Sequence, residues 1–182
     1  MAAKRYVALL RGINVNGVKI LSVDLAELFR TLGFTEVKTV LASGNVRFDS
    51  ETTDAAARDA ATLKATIETA LRERFGYDAW IVLVSLPDLE AVVEAFPFDA
   101  ERDGWHPYVL FGSDDAVLAE LTGLGSDLDA ADDVIAPGKH VIYWHNRRDV
   151  GVDSAFSKIA AKARYRSTTT NRNLRTLRKL LA

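Results

Sequence analysis

The order in which strand-like and helix-like segments follow one another, and the fact that the order recurs, restricts this fold more than any single motif. Lys4 to Leu10 is an apolar, strand-forming run. After a loop, Ser22 offers a helix N-cap with Asp24 near the positive helix end, and Leu21, Leu25, Leu28, Phe29 and Leu32 recur at helical spacing until Gly33 supplies a left-handed stop. Val37 to Leu41 and Val46 to Asp49 predict two strands joined by the Ser43-Gly44-Asn45 turn. A second helix is expected from near Thr53 or Asp54, burying Leu63, Ile67, Ala70, Leu71 and Phe75. Ala79 to Ser85 reads as a fourth strand, and Leu86 to Ala95 as a short helix ended by Pro97. The sum is βαββαβ plus one helix, the order of a ferredoxin-like α+β unit.

The second half repeats the plan. Tyr108-Val109-Leu110 echoes Tyr6-Val7-Ala8, and Leu118 to Leu121 echoes Leu25 to Leu28. The predicted hairpin Val134 to Trp144 echoes Val40 to Phe48. Ala155 to Ala163 predicts a helix, Ser167 to Thr170 a short strand, and Asn171 to Leu181 a last helix with Leu174, Leu177 and Leu181 on its apolar face. Two tandem ferredoxin-like subdomains follow, residues 1–99 and 100–182, with the boundary near Phe98 to Gly104.

The repeats differ most at one connection. Nineteen positions separate Tyr6 from Leu25, but only ten separate Tyr108 from Leu118. The surplus falls on Arg11-Gly-Ile-Asn-Val-Asn-Gly-Val-Lys-Ile20, where the second half manages with Phe-Gly-Ser-Asp-Asp. Loops longer than their connection needs are disproportionately functional; the alternative is a packing loop that covers a sheet edge or seals the two halves together. Gly12, Gly17 and Lys19 come near a phosphate-binding P-loop, but Val18 separates Gly17 from Lys19 and Ile20 stands where a hydroxyl must hold magnesium. What remains is softer anion chemistry. Gly12, Gly17, Asn14 and Asn16 tolerate the turns that form anion nests, and Arg11 adds a forked donor. Ser43-Gly44-Asn45 and the expected helix start Asn171-Arg172-Asn173 share this chemistry. Each of the three is otherwise simply a turn or a cap.

Charge gives a competing reading. Ser113 to Gly138 holds seven acidic residues and no Lys or Arg, whereas Ser154 to Ala182 holds eight basic residues and no acid. The two segments either create a field for an anionic partner or neutralise one another. Lys162, Arg166, Arg175 and Lys179 would carry nucleic-acid binding, with Arg172, Arg175 and Lys179 on one helix face and Tyr165, Trp80, Trp105 and Trp144 available to stack bases. No RNA-recognition strand signature accompanies them, and the chain is acidic overall.

Other chemistries find little. There is no cysteine, so no disulfide or thiolate is available. His140 and His145 are expected on opposite faces of one strand, and His106 at a strand edge. Asp127 to Asp133 lacks the glycine and closing Glu of a calcium loop and reads as a solvated acidic segment. No metal site or hydrolytic signature is indicated. The apolar run before Arg11 is too short for a signal or a membrane span, which favours a cytoplasmic protein.

Three stretches carry a family resemblance that runs essentially end to end. Tyr6 to Gly17, "YVALLRGINVNG", is similar to the opening strand and Arg-Gly-Ile-Asn-Val-Gly-Gly loop of the bacterial family called domain of unknown function 1697. Ser43 to Val46, "SGNV", and Arg172-Asn173 followed by Thr176 resemble two further signatures. Asn16, Ala42 and Leu174 depart from the residues usual there. The resemblance implies two α+β subdomains, the first ferredoxin-like, and no known activity. The reading that results is a cytosolic protein binding a small anionic ligand or nucleotide through Arg11, Gly12, Asn14, Ser43, Asn45, Arg172 and Asn173. Its competitors are nucleic-acid binding by the basic tail, and a non-catalytic interaction protein in which loop and tail only tie the two halves together while a partner surface carries the function.

Overall fold

The computed structural model describes residues 4–14, 18–51 and 59–182. The first half runs β1 (Lys4–Arg11), α1 (Ser22–Thr31), β2 (Thr35–Thr39), β3 (Asn45–Ser50), α2 (Ala60–Phe75), β4 (Trp80–Ser85) and α3 (Leu86–Glu94). The second runs β5 (Trp105–Gly112), α4 (Asp115–Gly123), β6 (Asp133–Gly138), β7 (Val141–Arg147), α5 (Ala155–Ala160), β8 (Thr169–Asn173) and α6 (Leu174–Leu181). Each half forms one antiparallel four-stranded sheet, ordered β2-β3-β1-β4 and β6-β7-β5-β8. Both are the ferredoxin-like arrangement expected from the element order. The chain divides into one unit of residues 1–89 with 180–182 and another of residues 90–179.

The repeat holds at the level of single residues. Tyr6 lies opposite Phe48, and Tyr108 opposite Trp144, in equivalent registers. The hairpin turn of each unit docks on its central strand by the same backbone bond. Leu10 N–H donates to Gly44 O at 2.8 Å, and Gly112 N–H to His140 O at 3.1 Å. In the first unit Ala8, Leu10, Val46, Phe48 and Ile81 of the sheet pack with Leu25 and Phe29 of α1 and Leu63, Ile67 and Leu71 of α2. In the second, Leu110, Ile142 and Trp144 pack with Leu118, Leu121, Phe156 and Tyr165. Alternation along each strand puts these residues on one sheet face, where helices cover them.

Several local expectations give way. Leu21, not Ser22, occupies the N-cap of α1 and offers no side-chain cap; it is exposed rather than part of the apolar stripe. The loop sets that helix entry, because Asn14 already holds the N–H of Ile20. Thr53 and Asp54 lie outside the described residues, and α2 begins after Asp59, whose carboxylate accepts from Thr62 N–H. Ala70 and Phe75 are only partly buried. The helix expected to Ala163 stops at Ala160, and the last strand runs Thr169–Asn173, not Ser167 to Thr170. Asn171, Arg172 and Asn173 are therefore strand residues that pair with Leu110, Val109 and Tyr108, and α6 starts only at Leu174. Leu180, not Leu181, completes the buried stripe of α6 with Leu174 and Leu177.

The acidic segment also ends differently. Asp133 is buried and accepts from Trp144 Nε1 at 2.8 Å, Asn146 Nδ2 at 3.1 Å and Phe156 N–H at 3.0 Å, so it is a core anchor and not part of a solvated loop. Trp105, Trp144 and Tyr165 are buried as well, which removes them as base-stacking platforms.

On the second unit's opposite sheet face, His145 sits only 2% exposed among aromatic rings. Phe98 stacks on it at 5.6 Å, Trp105 tilts against it at 5.0 Å, and Phe96 meets it edge-on. Its Nε2 has no hydrogen-bond partner among the described residues. Burial, reinforced by Arg102 and opposed by Asp99, lowers its pKa from 6.5. The unfolded chain therefore takes up this proton first, so stability is lost as pH falls below about 6.5. His106, lowered by burial, Arg148 and Arg175, acts in the same direction. Urea midpoints at pH 7.5 and 5.5 should show the acid-side loss, and His145→Leu should reduce it.

Candidate functional site

The described residues of the first unit's long connection are tied to their surroundings. Asn14 takes a left-handed backbone, with φ 57°, and both ends of its amide are used. Its Nδ2 donates to Ala42 O, and its Oδ1 accepts from Ile20 N–H at 3.1 Å. Asn14 N–H also donates to Val18 O at 2.6 Å. One side chain thus closes the loop on itself and ties it to the hairpin turn. Ile13 is buried against that turn. Asn45 fixes the turn from inside. It is fully buried, and its Nδ2 donates to Val40 O and Ser43 Oγ, both at 2.8 Å.

The structure thus brings together five of the residues picked from the sequence: Arg11, Gly12, Asn14, Ser43 and Asn45. Asn14 and Asn45 hold the corner together through their own amides. Gly12 and Ser43 are exposed, and Arg11 is half-buried at the end of β1, opposite Trp80 in the sheet. Gly12 has φ 81°, and nothing lies within 4 Å of the place a Cβ would take, so its backbone is open to approach. Leu41 and Gly44 are left-handed too. Four left-handed residues at one corner mark a backbone that the surrounding contacts dictate. Asn16 and Gly17 lie outside the described residues.

Arg172 and Asn173 belong to the second unit and have local work there. Arg172 is buried on β8 and donates to Thr170 Oγ1 at 2.7 Å and Asn171 O at 2.8 Å. Asn173 Oδ1 caps α6 by accepting from Arg175 N–H at 2.9 Å. Of the tail's cations, Lys162, Arg166 and Lys179 are exposed. Arg175 and Arg178 pair with Glu101 at 3.7 and 3.1 Å, and Arg164 with Glu120. Part of the charge segregation is therefore neutralised within the second unit.

One constellation escaped the sequence reading. His140 lies in the β6–β7 turn and not on the strand with His145; its φ is 58° and its Nδ1 is 2.7 Å from Asp115 Oδ1. The pair belongs to the lining of a groove of about 680 Å³ between α4 and that turn, with Leu118, Ala119, Thr122, Pro137, Lys139 and Val141. The turn falls between the two histidines, so strand alternation could not place them. Among the described residues, no three His, Asp or Glu side chains are grouped to hold a metal ion, and no helix is long and apolar enough to cross a membrane.

Comparison with known proteins agrees with this architecture. The model of a family described as "Protein of unknown function (DUF1697)" matches residues 3–143. The solved structure of conserved bacterial protein SP0830 from Streptococcus pneumoniae is similar over 99% of this chain and 98% of its own, with a TM-score of 0.79 and 28% sequence identity. No curated protein matches the sequence.

Proposed function

This chain belongs to the DUF1697 family of proteins of unknown function, and on that premise we propose that it is a binding protein whose first unit holds a small phosphate- or carboxylate-bearing ligand at the Arg11–Gly12 corner. The observation that supports this reading is the doubly bonded, left-handed Asn14, which holds the surplus loop against the 42–44 turn. A connection that served only to join β1 to α1 could be as short as the second unit's. Here Asn14 and Asn45 form the frame, Gly12 presents open backbone, and Arg11 supplies a fork suited to two oxygens. Arg172 and Asn173 are left out of this proposal, because their side chains are engaged within β8 and at the start of α6. The tail has weaker support as a nucleic-acid surface, since Arg164, Arg175 and Arg178 are paired with carboxylates and the aromatic residues near it are buried.

Thermal shift with inorganic phosphate, acetate and adenosine monophosphate, each against chloride at matched ionic strength, tests the proposal. A ligand at a hundred times its Kd stabilises by about 2.7 kcal/mol, which for a chain of this size raises Tm by roughly 5–10 °C. Arg11→Ala should abolish that rise. If Arg11→Ala lowers the starting Tm but leaves the response intact, the loop grips the protein and not a ligand.

A further inference from the structure

The same corner of the second unit is built differently, and the difference points to a site of its own. Both hairpin turns need a left-handed residue where they dock on the central strand. The first unit uses Gly44 there and the second uses His140, with φ 74° and 58°. Glycine adopts this conformation freely, whereas a side chain is disfavoured in it by about 1–2 kcal/mol. The second unit therefore keeps an imidazole at a position where its own repeat shows that glycine serves.

The imidazole is oriented. Its Nδ1 lies 2.7 Å from Asp115 Oδ1, so in the neutral ring, with the carboxylate accepting, Nδ1 carries the proton and Nε2 keeps its lone pair. Asp115 is not needed to cap α4, because Asp114 already accepts from Ala116 and Val117 N–H at 2.9 and 3.3 Å. Both partners are well exposed, at 60% and 72%, and such a pair adds little stability. An oriented imidazole base, on a strained turn and with little structural return, stands beside the groove. Leu118, Ala119, Pro137 and Val141 line that groove with apolar surface, and the Thr122 hydroxyl is occupied by its own helix through Leu118 O at 2.8 Å. In the first unit Ile13 packs over the corresponding turn residue Gly44; the second unit has no such loop, and its corner is open. A volume of about 680 Å³ is of small-molecule size.

We infer that the groove between α4 and the β6–β7 turn binds a small apolar molecule bearing a hydroxyl, whose O–H donates to Nε2 of His140 while Asp115 holds the ring. The apolar body would lie against Leu118, Ala119 and Pro137, and the Asp115–His140 pair would select a hydrogen-bond donor over a bare hydrocarbon.

Phenol is the probe. Titrated into protein carrying ¹⁵N-labelled histidine, it should move the His140 Nε2 resonance saturably while His106 and His145 stay in place. His140→Gly restores the residue used by the first unit and should leave the protein folded by circular dichroism, with phenol affinity lowered about tenfold, the loss of one good hydrogen bond. Ala119→Phe, which puts a ring into the groove from its lining, should abolish binding. Absence of a saturable shift in the wild-type protein would overturn the inference, as would unchanged phenol affinity in His140→Gly or in Ala119→Phe.

Discussion

Asp133→Ala should cost about 3–5 kcal/mol, a large fraction of what holds a domain of this size together. The carboxylate sits at the start of β6 and collects donors from three places: the indole of Trp144 and the amide of Asn146 on β7, and the backbone N–H of Phe156 at the start of α5. Alanine leaves all three donors buried and unmet, and each unmet donor costs on the order of 1–3 kcal/mol. Asn should fall between, because its oxygen can still receive Trp144 and Asn146 while its NH₂ turns toward the Phe156 N–H. Urea titration followed by tryptophan fluorescence and by far-ultraviolet circular dichroism reads both. Equal stability of Asp133→Asn and Asp133→Ala would show that the Trp144 and Asn146 bonds do not matter.

Gly44→Ala should cost about 3 kcal/mol, against about 1–2 kcal/mol for Gly12→Ala. Both glycines are left-handed, so both substitutions strain the backbone. Only at Gly44 does the new methyl group also meet matter, 2.7 Å from Ile13 Cδ1 and 2.9 Å from Leu10 Cβ. The Leu10 atom cannot swing aside, because it is fixed to the central strand. The comparison of the two variants isolates the packing of the loop on the turn. Equal losses in the two urea midpoints would mean that Ile13 and Leu10 do not press on Gly44 as described.

The sheet architecture was legible because alternation and turn residues repeat in both halves, and the Tyr6–Phe48 and Tyr108–Trp144 registers follow the sequence echo. What was not legible depends on partners distant in sequence or on burial. Asp133 reads as one more acid in an acidic run, since its three donors lie eleven to twenty-three residues later. Arg172 reads as helical charge, although strand pairing with Val109 carries it into a buried position. Asn14 looks like any turn asparagine until folding brings Ala42 and Ile20 to its two amide atoms. Ser22 has the right chemistry for a cap, but the loop before it already fixes the helix entry. Local composition identified the corner; only the fold showed that its asparagines brace it.

The strand order carries a consequence for how the molecule is made. β1 leaves the ribosome before the other strands of its sheet, yet it lies inside that sheet, between β3 and β4. It must wait, half-paired, until residues 80–85 emerge. The last three residues group with this first unit, where Arg47 donates to Leu180 O at 2.9 Å. One bond of the first unit is thus made only after the whole of the second has been translated. A nascent chain stalled short of Leu180 lacks the Arg47–Leu180 bond, and β5 stands as an open edge until β8 arrives. Unprotected strand edges recruit other chains, so the half-made second sheet is open to pairing with a neighbouring chain until residues 169–173 are in place.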